Sequence, residues 1–153
     1  MTQNETTAFT FTHRKVLPSQ AAASVWQRWC SLSSWQDWDQ SLSGTQAESD
    51  SIATGQRFCV VPKTSGQPIP VTVVSAVEGQ HFTTAAAGPM GLMAFGHSLV
   101  VDDAAQTVTL EHSICAVPGD AEIFRTRVWD HLKADVIASV EALGNLAAKE
   151  LTI

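Results

Sequence analysis

The sequence predicts one α+β domain in which a seven-stranded antiparallel sheet curves around a long C-terminal helix. Residues with helical apolar spacing occur only near the N-terminus and after residue 118. Between residues 43 and 117, apolar and polar residues alternate in segments separated by turn signals. Short turns between successive strands predict antiparallel pairing. The length of 153 residues suits a single domain, residues 1–153, with a core over about 8–149.

The first strand and the first helix come before the main run of strands. Residues 8–16 alternate, with Phe9, Phe11 and His13 on one face, which is typical of a half-buried strand. Ser19 is the expected N-cap of the helix that follows. A short second helix or turn then places Trp35 and Trp38 three positions apart. The apolar stripe of the first helix consists of Ala22, Val25, Trp26 and Trp29.

Six further strands complete the predicted sheet. They lie near residues 43–49, 56–61, 69–77, 81–87, 92–101 and 106–117. The last two alternate most clearly, and they carry His97 and His112 on their apolar faces. The two histidines are directly opposed if the register pairs residues whose numbers sum to 209, and diagonal if the sum is 207. Their side chains come within reach of one another in either register.

One long helix is predicted from Asp120, its N-cap, to about Lys149. Its apolar stripe consists of Phe124, Val128, Leu132, Val136, Val140, Leu143 and Ala147. The apolar face of the sheet must be covered, and this helix is the cover that the sequence offers. A strongly curved sheet around one helix leaves a cavity between them.

Composition excludes several classes of function. Charged residues make up only 16% of the chain and the net charge is −6, which argues against a nucleic-acid binder. No apolar run approaches the roughly 20 residues of a membrane span, and the N-terminus lacks a secretory signal pattern. The three cysteines are widely spaced, which favours reduced thiols in the cytoplasm over disulfides or a zinc site. No cofactor is expected, and the oligomeric state stays open between monomer and homodimer.

Four segments resemble a known superfamily. They are Ala23-Ser24-Val25-Trp26, the segment 32–39 (LSSWQDWD), Gly55-Gln56-Arg57-Phe58 and the start of the final helix near Asp120. Together with the element order, they make the chain similar to the helix-grip superfamily, often called SRPBCC. This superfamily groups START lipid-transfer domains, birch-pollen-allergen-like proteins and polyketide cyclase/dehydrase-like proteins. The resemblance covers about residues 8–149 and implies a deep, mainly apolar pocket between the sheet and the long helix.

Strand parity and the helix stripe give the candidate ligand-binding residues. They are Trp29, Trp35, Phe58, Val73, Phe82, Phe95, His97, His112, Ile114, Phe124, Val128 and Leu132. Core packing is an alternative for all of them. For the indoles it is favoured at Trp26 and Trp38, and it is left open at Trp29 and Trp35, which could instead stack on a planar ligand at the pocket mouth.

The inward histidines need hydrogen-bond partners, because an unpaired buried polar group costs about 1–3 kcal/mol. We therefore consider His97 and His112 as polar anchors for a ligand, with satisfied structural histidines as the alternative. A metal held together with His13 is not expected, since no carboxylate shell is evident.

Three functions are compatible with these residues. The first is binding of a small hydrophobic molecule that is lipid, isoprenoid or polyketide-like. The second is a cyclase or dehydratase in which His97 or His112 acts as general base; the chain has no tyrosine that could assist. The third is a co-chaperone-like or partner-binding domain, which would present an exposed apolar groove.

Overall fold

The computed structural model describes residues 6–88 and 90–151, which form one seven-stranded antiparallel sheet with helices on its concave side. The strands are β1 (Phe9–Pro18), β2 (Leu42–Gln46), β3 (Arg57–Pro62), β4 (Ile69–Val77), β5 (His81–Gly88), β6 (Gly91–Asp102) and β7 (Thr107–Val117). Their order in the sheet is β1-β7-β6-β5-β4-β3-β2. The predicted fold class is confirmed. Residues 1–5, 89, 152 and 153, which the predicted domain 1–153 includes, lie outside the described part.

The helices differ from the prediction at the C-terminal end. They are α1 (Ala21–Cys30), a 3-10 helix (Leu32–Asp37), α2 (Ala121–Arg127) and α3 (Trp129–Glu150). The prediction of one continuous helix from Asp120 to about Lys149 is therefore wrong, because Val128, at φ −122° and ψ −43°, interrupts it. The rings of Phe124 and Trp129 both pack on Phe9, at centroid distances of 5.0 and 5.4 Å. Residues five apart lie on different faces of a straight helix, so the interruption lets both rings reach Phe9.

The two predicted helix caps had different outcomes. Asp120 is the N-cap of α2, and its Oδ1 accepts a hydrogen bond from the Ile123 N–H at 3.0 Å. Ser19 is not the cap of α1; Gln20 occupies that position and makes no side-chain cap bond. The Ser19 N–H donates instead to the Gln106 carbonyl at 3.0 Å. The corner between β1 and α1 is thereby tied to the β6–β7 turn.

The register of the sheet aligns three histidines across its concave face. His97 of β6 is opposite His112 of β7, the pairing in which the two numbers sum to 209. His13 of β1 is opposite His112 on the other side. Phe82 of β5 continues the row opposite His97. We call these four residues the histidine row.

The long helix α3 packs against β1, β7 and α1. The close approach to β1 occurs at Gly144, where a Cβ atom would lie 2.5 Å from Cδ of Lys15. Leu143 and Ala147 on either side are fully buried. None of the helices within the described residues combines the length and apolarity needed to cross a membrane.

Candidate functional site

Aromatic rings pack together over the centre of the histidine row. Phe82 and His97 are stacked at 4.0 Å between ring centroids with an interplanar angle of 6°. The Trp29 ring lies 5.4 Å from Phe82 and 5.8 Å from His112. The Trp35 ring lies 6.1 Å from Phe82. All five side chains are buried, so the interior around the histidines is occupied by the protein's own rings.

Both ring nitrogens of His112 have partners within the protein. The Trp29 indole N–H can only donate, and it lies 3.2 Å from His112 Nε2. His112 Nε2 is therefore the acceptor, and the ring proton is on Nδ1, which donates to Ser139 Oγ at 2.9 Å. The Ser139 hydroxyl in turn donates to the Val136 carbonyl at 2.8 Å. This chain of hydrogen bonds links α1, the sheet and α3.

The electrostatic environment keeps both central histidines neutral. Burial, with further contributions from His97 and His13, lowers the pKa of His112 well below its usual value. Burial also lowers the pKa of His97 to about 3. His97 Nδ1 lies 3.3 Å from the Phe82 carbonyl, to which it donates. Both imidazoles are therefore uncharged near pH 7.

Trp38 differs from its neighbours in hydrogen bonding. The Trp35 indole donates to the Trp29 carbonyl at 2.8 Å, whereas Trp38 Nε1 is buried and has no hydrogen-bond partner. The Trp38 ring lies 5.5 Å from His112 and 6.5 Å from His97. An indole donor without a partner therefore borders the two central histidines.

His13 is not part of the interior hydrogen-bond chain. Its Nε2 lies 3.0 Å from Oε1 of Glu141 on α3, and Lys15 Nζ lies 2.7 Å from Oε2 of the same carboxylate. Hydrogen bonds from Lys15 first, and from His13 next, lower the pKa of Glu141. Within the described residues, no group of three or more His, Cys, Asp or Glu side chains is arranged to hold a metal ion.

Beyond the histidine row, towards α2, the concave face is incompletely covered. Phe95 is paired with Ile114, and Met93 with Ala116, on the inward side of β6 and β7. Ile114 and Ala116 are buried, whereas Phe95 and Met93 stay half-exposed. Ala86, opposite Met93 on β5, is also half-exposed, as are Val128 between α2 and α3 and Leu132 in the first turn of α3. We define the inner groove as Ala86, Met93, Phe95, Val128 and Leu132.

The predicted site residues separate into two groups. Phe95, Val128 and Leu132 belong to the inner groove. The remaining candidates are buried: Trp29, Trp35, Phe58, Val73, Phe82, His97, His112, Ile114 and Phe124. Trp38 is in the core as expected, but Trp26 is only half-buried.

Sequence reasoning missed two polar features of this region. Ser139 lies three positions from Val136, next to the apolar stripe of α3, and a hydroxyl there could have suggested a partner for an inward histidine. The unpaired N–H of Trp38 has no signal in the sequence. Whether this N–H finds a partner depends on where the 3-10 helix ends and on the side-chain orientation of Trp38.

The recesses on the surface formed by the described residues include a polar one and an apolar one. A polar cleft of about 250 Å³ lies between α1 and the end of α3, beside Ser24, Arg28 and Glu150. An apolar recess of about 410 Å³ is lined mainly by outward-facing residues of β4–β7, among them Ala85, Leu92 and Cys115. Neither is the deep pocket expected between the sheet and the long helix.

Comparison with known proteins identifies the fold. No protein-family model matches the chain, and no curated protein matches its sequence. Among solved structures, Ara h 8.0201 superposes with a TM-score of 0.70 at 10% identity, covering 94% of this chain and 99% of that one. Norcoclaurine synthase of Thalictrum flavum superposes with a TM-score of 0.68 at 11% identity, and the match covers 97% of this chain and 99% of that one. A hypothetical protein from Helicobacter pylori superposes with a TM-score of 0.73 at 12% identity, and the match covers 91% of this chain and 88% of that one.

These similarities extend over more than nine-tenths of the chain. At such identities they concern the fold and not the chemistry. The seven-stranded sheet curved around α3, together with these matches, shows that the chain has the helix-grip fold.

Proposed function

We propose that the protein binds a small, uncharged hydrophobic molecule in the inner groove. The observation that carries this proposal is the difference in burial along one face of the sheet. Inward residues around the histidine row are buried, whereas Phe95, Met93 and Ala86 are inward-facing but half-exposed. Apolar side chains that line a concave face and remain open to solvent are typical of a ligand site.

The structural neighbours support the same proposal at the level of the fold. Norcoclaurine synthase, one of the structural neighbours, was solved as a point mutant in complex with a transition-state analogue. The fold therefore accommodates a small molecule in at least one neighbour. Burying about 300 Å² of apolar ligand surface would give roughly 7 kcal/mol before association costs. Apolar enclosure alone supports only weak to moderate affinity.

The histidines favour binding over general-base catalysis. A general base works best with a pKa near the operating pH, whereas burial lowers the pKa of His97 to about 3 and that of His112 well below its usual value. His112 also has both ring nitrogens engaged by Trp29 and Ser139. We therefore propose carriage or sensing of the ligand rather than its conversion.

The proposal is tested with N-phenyl-1-naphthylamine, an uncharged fluorescent probe. We expect its emission to rise on addition of the protein. Leu132→Glu, which puts a charge in the inner groove, should weaken binding at least tenfold. Leu92→Glu is the matched control, because Leu92 is 60% exposed on the outer face of β6, and it should bind as the wild type does. Equal binding by both variants, with folding verified by circular dichroism, would contradict the proposed site.

A further inference from the structure

The protein leaves one buried indole donor beside the histidine row unpaired. Among the residues that the structure describes, Trp38 Nε1 is the one buried side-chain nitrogen or oxygen without a hydrogen-bond partner. By contrast, the Trp29 and Trp35 indoles and both ring nitrogens of His112 have partners within the protein. A buried donor without a partner carries a desolvation penalty, which an acceptor brought by a ligand would relieve.

Trp38 packs on a residue of the histidine row that adjoins the groove along β7. Its ring lies 5.5 Å from the ring of His112, and inward residues alternate along a strand. The next inward position on β7 after His112 is Ile114, which pairs with Phe95 of the groove. Trp38 therefore packs on a residue that lies between the buried Leu99–Leu110 pair on one side and the Phe95–Ile114 pair of the groove on the other.

The surroundings of Trp38 disfavour an anionic ligand. The adjacent residue, Asp39, is largely buried, and burial together with the nearby Asp135 raises the pKa of its carboxyl. His97 and His112 are neutral and offer no compensating positive charge. A ligand carboxylate at this position would lose its hydration without gaining a cation. A neutral carbonyl oxygen loses much less hydration free energy on burial than a carboxylate does.

We infer that Trp38 Nε1 is the specificity-determining donor of the inner groove and selects hydrophobic ligands that carry an uncharged oxygen acceptor, such as a ketone. This inference rests on the proposed function, because it names the class of ligand that the groove takes. The apolar lining holds the body of the ligand, and the indole N–H distinguishes a carbonyl compound from a hydrocarbon of the same shape.

The test compares fluoren-9-one with fluorene, which differ by a carbonyl in place of a methylene. We expect the wild type to bind fluorenone roughly tenfold more tightly than fluorene, and Trp38→Phe to bind the two equally. Trp26→Phe is the matched control, since Trp26 is half-buried and its ring lies 6.0 Å from Trp29; it should keep the preference. Fluorene-9-carboxylate should bind more weakly than fluorenone to the wild type.

A second measurement does not depend on the variant folding. In a ¹⁵N-labelled wild-type sample, fluorenone should shift the Trp38 indole N–H resonance downfield, while fluorene should not. Equal affinities of the two compounds for the wild type, with no such shift, would overturn the inference and leave the proposed function standing. It would mean that a water molecule satisfies the indole. If neither compound binds, the proposed function fails and the inference fails with it.

Discussion

Trp29 Nε1 donates a hydrogen bond to His112 Nε2 across 3.2 Å in the buried centre of the domain. Because an indole can only donate, this contact determines which nitrogen of the histidine carries the proton. His112 then donates to Ser139, so a residue of α1 and a residue of α3 are joined through one strand of the sheet. The histidine that the sequence suggested as a ligand anchor thus connects the three layers of the domain.

Trp29→Phe should lower the free energy of unfolding by about 2–4 kcal/mol. The change leaves a small cavity and deprives the buried His112 Nε2 of its donor. Urea denaturation followed by circular dichroism measures the loss. Trp26→Phe, at a half-buried position on the same helix, should cost about 1 kcal/mol or less. Similar losses for the two variants would show that the Trp29–His112 hydrogen bond contributes little to the free energy of unfolding.

Stability should fall as the pH drops below about 6.5. In the unfolded chain, His97 and His112 titrate near 6.5, whereas burial lowers the folded-state pKa of His97 to about 3 and that of His112 well below its usual value. The unfolded state therefore binds more protons in this range, and each histidine removes about 1.4 kcal/mol per pH unit once the pH is below 6.5. Urea denaturation at intervals from pH 8 to pH 5 measures the slope.

Two variants assign that pH dependence to the buried pair. His97→Phe removes one of the two groups and should roughly halve the slope below pH 6.5. Trp26→Phe is the control, because it is a half-buried ring substitution that leaves both histidines in place, and it should leave the slope unchanged. A steep slope that survives His97→Phe in full would contradict the assignment to this residue.

Strand parity placed His97 and His112 on one face and within reach of one another, because alternation along β6 and β7 is regular and a short turn joins them; the structure shows that they are directly opposed rather than diagonal. The same reasoning placed Phe82, Ile114 and Phe95 on the concave face. Parity does not show how far each inward residue is covered, since that depends on where α1 and α3 pack. It therefore could not separate the buried Phe82 from the half-exposed Phe95.

Helix periodicity failed for a related reason. The apolar stripe continues from Phe124 through Val128 to Leu132, so the sequence indicates one helix. The packing of Phe124 and Trp129 on the same ring of Phe9 is accompanied by non-helical backbone angles at Val128, although the Val128 N–H still donates to the Phe124 carbonyl. A contact between residues so distant in the chain is invisible to a local pattern.

Gly144→Ala should be coupled to Lys15. An alanine in a helix interior stabilises it by about 1 kcal/mol relative to glycine, but the new methyl would lie 2.5 Å from Lys15 Cδ. Lys15 must then move, which breaks its 2.7 Å contact with Glu141, so we expect little net gain in the wild-type background. In a Lys15→Ala background, Gly144→Ala should stabilise by the full amount, about 1 kcal/mol. Strict additivity in this double-mutant cycle would argue against the contact.

Asp120→Ala should destabilise the protein by about 1 kcal/mol, because Asp120 Oδ1 accepts the Ile123 N–H at the start of α2. Ser19→Ala is the informative comparison. Ser19 is the residue that the sequence suggests as a cap for α1, yet the structure gives that cap position to Gln20. The Ser19 backbone N–H, which bonds to Gln106, survives the substitution, so Ser19→Ala should change the unfolding free energy by less than about 0.5 kcal/mol. Thermal and urea unfolding of the two variants measure the difference, and a larger loss for Ser19→Ala than for Asp120→Ala would mean that capping by the serine hydroxyl stabilises α1 after all.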